Sequence, residues 1–246
     1  TLYRVDFEDR LLNISQCVGI LGCPAVLANV GGVETRGAEA AVELGLAEGW
    51  SVFGSVSWNR SEYAADYLDG TTRVATNGKT VVDTPELLAN LELRYSRDGW
   101  EASVGTKFTG ERYITFLNDS KVPDYWVANA SLSYDFGRFK LSAMVNSDKV
   151  GSAAKSSGYL VGVSVPTASG ELRATYSGSK AKVNGTSPEA DKVSLGYVHN
   201  LSKRTAVYGT VAYLSNKGGA TFGLNGATTA ANTSSKGLDI GIRHAF

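Results

Sequence analysis

The chain has 246 residues with 28 Gly, 5 Pro, 2 Cys, 43% hydrophobic residues and a formal net charge of zero, which suits one large domain and marks no linker. No apolar run reaches the roughly 18 residues of a membrane-crossing helix, but a β-barrel strand crosses with about ten alternating residues and is not excluded. Lys and Arg are dispersed, so nucleic-acid binding has no support, and the sequence offers no phosphate-cradling glycine loop, metal-ligand cluster or cofactor motif.

Period-two alternation runs from end to end and predicts strands without a helix. Tyr3, Val5 and Phe7 alternate with Arg4, Asp6, Glu8 and Arg10. Ala38, Ala40, Val42, Leu44 and Leu46 oppose Glu39 and Glu43, and Trp50, Val52, Val56 and Trp58 oppose Ser51, Ser55 and Ser57. Leu87, Leu91, Leu93 and Tyr95 face away from Glu92 and Arg94. Trp100, Ala102, Val104 and Phe108 face away from Glu101 and Lys107, and Trp126 to Tyr134 repeats the pattern against Asn129, Ser131 and Ser133. Leu141, Ala143 and Val145 then oppose Lys140 and Ser142, followed by Tyr159, Val161, Val163 and Val165. Leu172, Ala174 and Tyr176 oppose Glu171 and Arg173; Val193, Leu195 and Tyr197 come next, then Val207, Val211 and Tyr213. The last strand sets Leu238, Ile240, Ile242, His244 and Phe246 against Asp239, Gly241 and Arg243. Any half-buried antiparallel strand alternates in this way, so the membrane reading rests on the whole set of about 12 strands.

The connections alternate in length. Short turns fall at 47–49, 96–99, 135–137, 167–170 and 200–203, and long polar loops at about 15–31, 65–84, 110–123, 148–157, 179–189 and 215–235. That rhythm predicts an all-β, antiparallel up-and-down transmembrane barrel with short periplasmic turns, and an even strand count puts both termini on the periplasmic side. Aromatics cluster near strand ends: Trp50, Tyr95, Trp100, Tyr134 and Phe139 by the short turns, and Tyr63, Tyr113, Tyr125, Tyr159, Tyr176 and Tyr213 by the long loops. Two girdles at two membrane interfaces are expected.

Cys17 and Cys23 do not have a zinc spacing and no His is near them in sequence. In an oxidising compartment they read as a disulfide that pins a loop tip and adds modest stability, with free thiols as the alternative. Asp66 and Asp69 read as an ordinary solvated loop rather than a cation site. His199 and His244 lack an obvious Ser and carboxylate constellation, so catalysis is not expected.

Tyr3-Arg-Val-Asp-Phe-Glu-Asp-Arg-Leu-Leu-Asn13, Asn29-Val-Gly-Gly-Val-Glu-Thr-Arg-Gly-Ala-Glu39, Thr84-Pro-Glu-Leu-Leu-Ala-Asn90 and Tyr125-Trp-Val-Ala-Asn-Ala-Ser-Leu-Ser-Tyr134 carry a resemblance over about 1–136. They resemble the carboxy-terminal barrel strands of TonB-dependent receptors, which implies an outer-membrane barrel of the type that takes up iron chelates. These residues include neither plug nor TonB-binding segment, so energised uptake is not expected of them. From about 140 to 246, Gly162-Val-Ser-Val-Pro166, Gly170-Glu-Leu-Arg-Ala-Thr-Tyr176, Leu195-Gly-Tyr-Val-His-Asn-Leu-Ser-Lys-Arg-Thr205 and the Gly-Ile-Arg-His-Ala-Phe ending are similar instead to the last strands of a β-proteobacterial general porin. Charge changes with the resemblance: residues 1–138 hold 12 Lys/Arg against 19 Asp/Glu, and residues 139–246 hold 12 against 5. A hybrid of two ancestries is expected, recombined or artificial.

The resemblance implies residence in the Gram-negative outer membrane, with the lipid bilayer and the barrel-insertion machinery as partners and Phe246 as the insertion signal. The expected pore-lining charges are Arg4, Asp6, Glu8, Arg10, Glu39, Glu43, Glu92, Arg94, Glu101, Lys107, Lys140, Glu171, Arg173, Lys192, Asp239 and Arg243. A small passive channel for ions and small solutes is the leading reading, with a monomer favoured. A non-conducting structural barrel and a ligand-binding receptor remnant using loops 15–31 and 65–84 are the alternatives.

Overall fold

A computed structural model describes residues 1–15, 25–69, 71–150, 154–183 and 185–245. Its strands, in chain order, are β1 (Leu2–Phe7), β2 (Leu11–Ser15), β3 (Ala25–Asn29), β4 (Val33–Ala47), β5 (Trp50–Tyr63), β6 (Tyr67–Asp69), β7 (Thr72–Val74), β8 (Leu87–Arg97) and β9 (Trp100–Thr109). They continue with β10 (Arg112–Tyr113), β11 (Lys121–Val122), β12 (Tyr125–Asp135), β13 (Lys140–Val150), β14 (Ala154–Thr167), β15 (Gly170–Val183), β16 (Glu189–Asn200), β17 (Thr205–Lys217) and β18 (Ser234–His244). One 12-stranded sheet runs in the order β1-β4-β5-β8-β9-β12-β13-β14-β15-β16-β17-β18, so each wall strand follows its sequence neighbour. Cys17, Cys23 and Phe246 lie outside the described residues.

All of the expected wall strands form, and most run past their apolar pattern. β13 reaches Val150 and β14 starts at Ala154, so most of the loop expected at 148–157 is ladder. Backbone N–H and C=O groups pair regardless of side chain, and polar residues do not end a strand. For the same reason three expected loops hold short antiparallel hairpins: β2 on β3, β6 on β7 and β10 on β11. The short turns follow local chemistry. Between β8 and β9 only Asp98 and Gly99 intervene, with φ of 51° and 83°. Positive φ at both central residues is the requirement of a tight two-residue hairpin turn, which Asp-Gly meets at low cost.

The chain divides into two compact units: Thr1–Val42 with Gly54–Asn90 and Lys107–Tyr125, and Glu43–Phe53 with Leu91–Thr106 and Trp126–Phe246.

The first unit contains a small apolar core. Val30, Val33, Tyr63, Tyr67 and Val81 are buried, with Val74 and Phe116 packed against them. The Phe116 ring sits 5.9 Å from Tyr63 and 5.0 Å from Tyr67. Polar tethers fasten the loops that build this core. The Thr80 N–H donates to Asn118 Oδ1 at 2.7 Å, and Asn118 Nδ2 donates to the Thr80 carbonyl at 2.9 Å. Arg112 pairs with Asp83 at 2.5 Å. Asp66 accepts from the Asn77 N–H at 2.9 Å and from Arg73 Nε at 2.7 Å. The Asn77 amide and the Arg73 guanidinium hold the Asp66 carboxyl below the usual carboxylate range.

In the second unit, the register of β13 to β18 sorts side chains into two faces. One face carries rows such as Leu141-Val163-Ala174-Leu195-Val211-Leu238 and Val165-Leu172-Tyr197-Gly209-Ile240. Its large side chains are open rather than packed, with Ile240 73% and Ile242 68% exposed. The other face carries Ser142, Gly162, Thr175, Ser194, Ala212 and Gly237 in one such row. A water-soluble sheet does not leave a broad aliphatic face uncovered.

Candidate functional site

The polar face is the candidate site, and it differs between the two units.

In the first unit it begins with hydroxyls and amides. Ser57 donates to Glu39 Oε1 at 3.3 Å, Thr35 bonds Ser61, and Asn90 donates to Ser55 at 3.0 Å. These contacts place Thr35 and Glu39 of β4 on one face with Ser57 and Ser61 of β5. Towards the long loops that face is not open. Ser61 and Thr76 are 3% and 0% exposed, and the core around Tyr63 and Val81 covers it. The Val81 N–H donates to the Ser61 carbonyl at 2.9 Å, which seats the loop segment against β5. Sequence reasoning missed this cap; its signal was the apolar set Val30, Val81 and Phe116 inside segments otherwise read as polar loops.

Expected pore-lining residues Arg4, Asp6, Glu8 and Arg10 do not join that face. Arg4 registers opposite Arg36 and Asp6 opposite Glu34, which share a side of β4 with Ala38, Ala40 and Val42. Arg4 pairs there with Asp6 and Glu34, at 3.3 and 3.4 Å. Glu8 and Arg10 fall after β1, where Arg10 lies over the Phe7 ring at 5.6 Å. The reason is register: a period of two separates the faces of a strand but does not say which one joins which face of its neighbour. Tyr3, not Arg4, sits on the Glu39 side, with its ring across Gly37 where a side chain would collide with it.

The second unit brings together most of the other expected residues. Arg94 bridges Glu43 at 3.2 Å and Glu92 at 2.8 Å, and lies over the Phe53 ring at 5.5 Å. Lys140 pairs with Glu101 at 2.5 Å, and Ser133 donates to the same carboxylate at 3.2 Å. Lys107 belongs to the first unit; it lies on the Glu101 side of β9 by strand period and is exposed. Further on, Arg173 pairs with Glu171, and Thr175 bonds Ser194 at 2.6 Å. Lys192 registers opposite Ser177 and Leu214 on this face, Asp239 opposite Thr210, and Arg243 opposite Ala206. A recess of about 300 Å³ opens among Arg173, Thr175, Ser194, Tyr208, Thr210 and Arg243. Two guanidinium groups and four hydroxyls make that recess a donor-rich, cationic patch.

A family model described as TonB dependent receptor-like, beta-barrel, matches residues 1–146. The chain belongs to that family. The TonB dependent receptor-like assignment covers more than half of the chain, and relatives of another kind accompany it. Outer membrane porin protein 32 of Delftia acidovorans is 40% identical over 124 residues, covering 46% of this chain and 35% of its own length. The anion-selective porin from Comamonas acidovorans has a TM-score of 0.62 at 26% identity, covering 88% of this chain and 60% of that one. OmpT of Vibrio cholerae matches at a TM-score of 0.50 and 11% identity, over 100% of this chain and 96% of that one, a likeness of fold alone. The chain spans about a third of the length of the curated porin it matches. The fold class of this TonB dependent receptor-like chain is therefore all-β, antiparallel and up-and-down, of the outer-membrane β-barrel kind.

Proposed function

We propose that the chain forms a small passive channel for ions and small solutes in the outer membrane of a Gram-negative bacterium. The observation that carries this is the division of β13 to β18 into an uncovered aliphatic face and a face of hydroxyls, glycines and charges. In a bilayer the first contacts lipid and the second water. The porin relatives support the same reading.

The polar face suggests its selectivity. Around β15 to β18 it bears Arg173, Lys192 and Arg243 against Glu171 and Asp239. Elsewhere on the second unit the cations Arg94 of β8 and Lys140 of β13 are held by Glu43, Glu92 and Glu101. Opposed local fields of this kind give weak selectivity. The chain is read as a hybrid whose receptor-like part, about 1–138, passes to a porin-like part, 139–246, with both termini periplasmic and the monomer as the working form. Phe246 is assigned as the signal for the insertion machinery, and Cys17 with Cys23 as a disulfide. Substituting Phe246 should impair assembly in cells, and normal assembly of that variant would sink the assignment.

A second reading is a barrel that conducts nothing, favoured by the cap over the polar face in the first unit. Single-channel conductance of the folded chain in a planar bilayer, across a salt gradient, separates the two. Discrete steps establish the channel; a folded, heat-modifiable and silent protein establishes the structural barrel.

A further inference from the structure

The aliphatic face of the second unit ends, towards the long loops, in a row of like charges. Registered pairing sets Lys149 opposite Lys155, and Lys155 opposite Lys182, on three adjacent strands. All three side chains are exposed. Among the described residues none of them enters an ion pair, and the neighbouring carboxylates are taken. Glu189 pairs with Lys180, and Asp191 accepts from Lys217 at 3.2 Å and from the Tyr176 hydroxyl at 3.1 Å. Asp148 belongs to the opposite face, where Ser156 donates to it at 2.8 Å. Counting Lys180, Lys217 and Lys236, this end of the face holds six lysines against two carboxylates.

Like charges set directly across a ladder repel. The first unit also sets like charges across a ladder, Arg4 opposite Arg36 and Asp6 opposite Glu34, but there Arg4 is paired with Asp6 and Glu34. Among the described residues the lysine row has no such compensation. It lies about 13 Å along β14 from Tyr159, where the aliphatic and aromatic face begins, a separation of four strand residues. That border is where a lipid headgroup sits against a barrel wall.

We propose that Lys149, Lys155 and Lys182 bind the phosphate groups of a phosphorylated lipid headgroup. The row supplies three ammonium groups, each a threefold donor, to an anion with several acceptor oxygens. The anion removes the repulsion, and the lipid's acyl chains run past Tyr159 onto Val161. This rests on the membrane-spanning reading of the chain.

The test uses the full chain in phosphatidylcholine nanodiscs containing bisphosphorylated lipid A, with bound lipid counted by native mass spectrometry. Insertion is checked separately by heat-modifiable gel mobility. Lipid A should be retained by the wild type, and a K149Q/K155Q/K182Q variant should bind it about a hundredfold more weakly. K121Q, which alters a loop lysine already paired with Glu111, should leave retention unchanged. Lipid A stripped of its phosphates should be lost from the wild type, and millimolar inorganic phosphate should not displace the intact lipid. Equal retention by the triple variant overturns the proposal, as does retention of the stripped lipid or displacement by free phosphate. A chain that fails to insert at all removes the membrane reading and this proposal with it; insertion without phosphate-dependent retention removes this proposal alone.

Discussion

Replacing Tyr63 by Ala should open the cap of the first unit and leave the wall strands intact. Tyr63 is 1% exposed, and among the described residues its core has Val30, Val33, Tyr67 and Val81 as the other buried members. Removing a buried aromatic side chain costs about 3–5 kcal/mol, and the phenol also accepts the Val82 N–H, a bond worth about 1 kcal/mol. Beyond this small core, the loops are held by the polar tethers from Asn118, Asp83 and Asp66. The wall strands, by contrast, are held by ladders along their whole length. The loss should therefore appear as local opening. Hydrogen exchange at the Val81 amide, bonded to the Ser61 carbonyl, should accelerate by about a hundredfold or more, since about 3 kcal/mol separates open from closed. Exchange in β13 to β18 should stay unchanged. Single-channel conductance should rise, because the cap covers the polar face. A double-mutant cycle with Phe116→Ala should yield a coupling of about 0.5–1.5 kcal/mol, the value of an aromatic pair in contact. Unchanged exchange at Val81, or a uniform loss of protection throughout the chain, would refute the idea of a separately stabilised cap.

Three further outcomes follow from particular residues. The lowered pKa of Asp66 means that its stabilising contribution is present above its unfolded value and is lost as pH falls through the folded value. Exchange in 66–77 should therefore accelerate only below the usual carboxylate range in the wild type, and already be fast at neutral pH in Asp66→Asn; an acid transition at the ordinary value would contradict this. Arg94→Met leaves Glu43 and Glu92 without their shared cation and should move the reversal potential towards cations; an unchanged potential would place that cluster away from the conduction path. Gly37→Ala would put a Cβ 2.6 Å from the Trp58 carbonyl oxygen and against the Tyr3 ring, and should lower stability to urea by about 1–3 kcal/mol; an unaltered midpoint would mean that β1 does not seat against β4 as described.

Alternation by itself fixed the wall strands. Each residue in a strand turns its side chain opposite to the last, so apolar and polar sets separate along the chain without reference to any neighbour. Asp98-Gly99 likewise declared its turn, because few residue pairs accept positive φ at both positions. From Glu39 onward, the charged residues expected on one face were mostly placed there, since each opposes an unbroken apolar rib. Arg4 and Asp6 were not, because which face a short strand presents depends on its register with β4, a relation between distant residues that no local pattern encodes. The cap was hidden for a related reason: Val30, Tyr63, Val81 and Phe116 are scattered in sequence, and only folding gathers them. The lysine row is the clearest case. Lys149, Lys155 and Lys182 are ordinary surface residues in the sequence, and cross-strand pairing alone turns them into three adjacent charges.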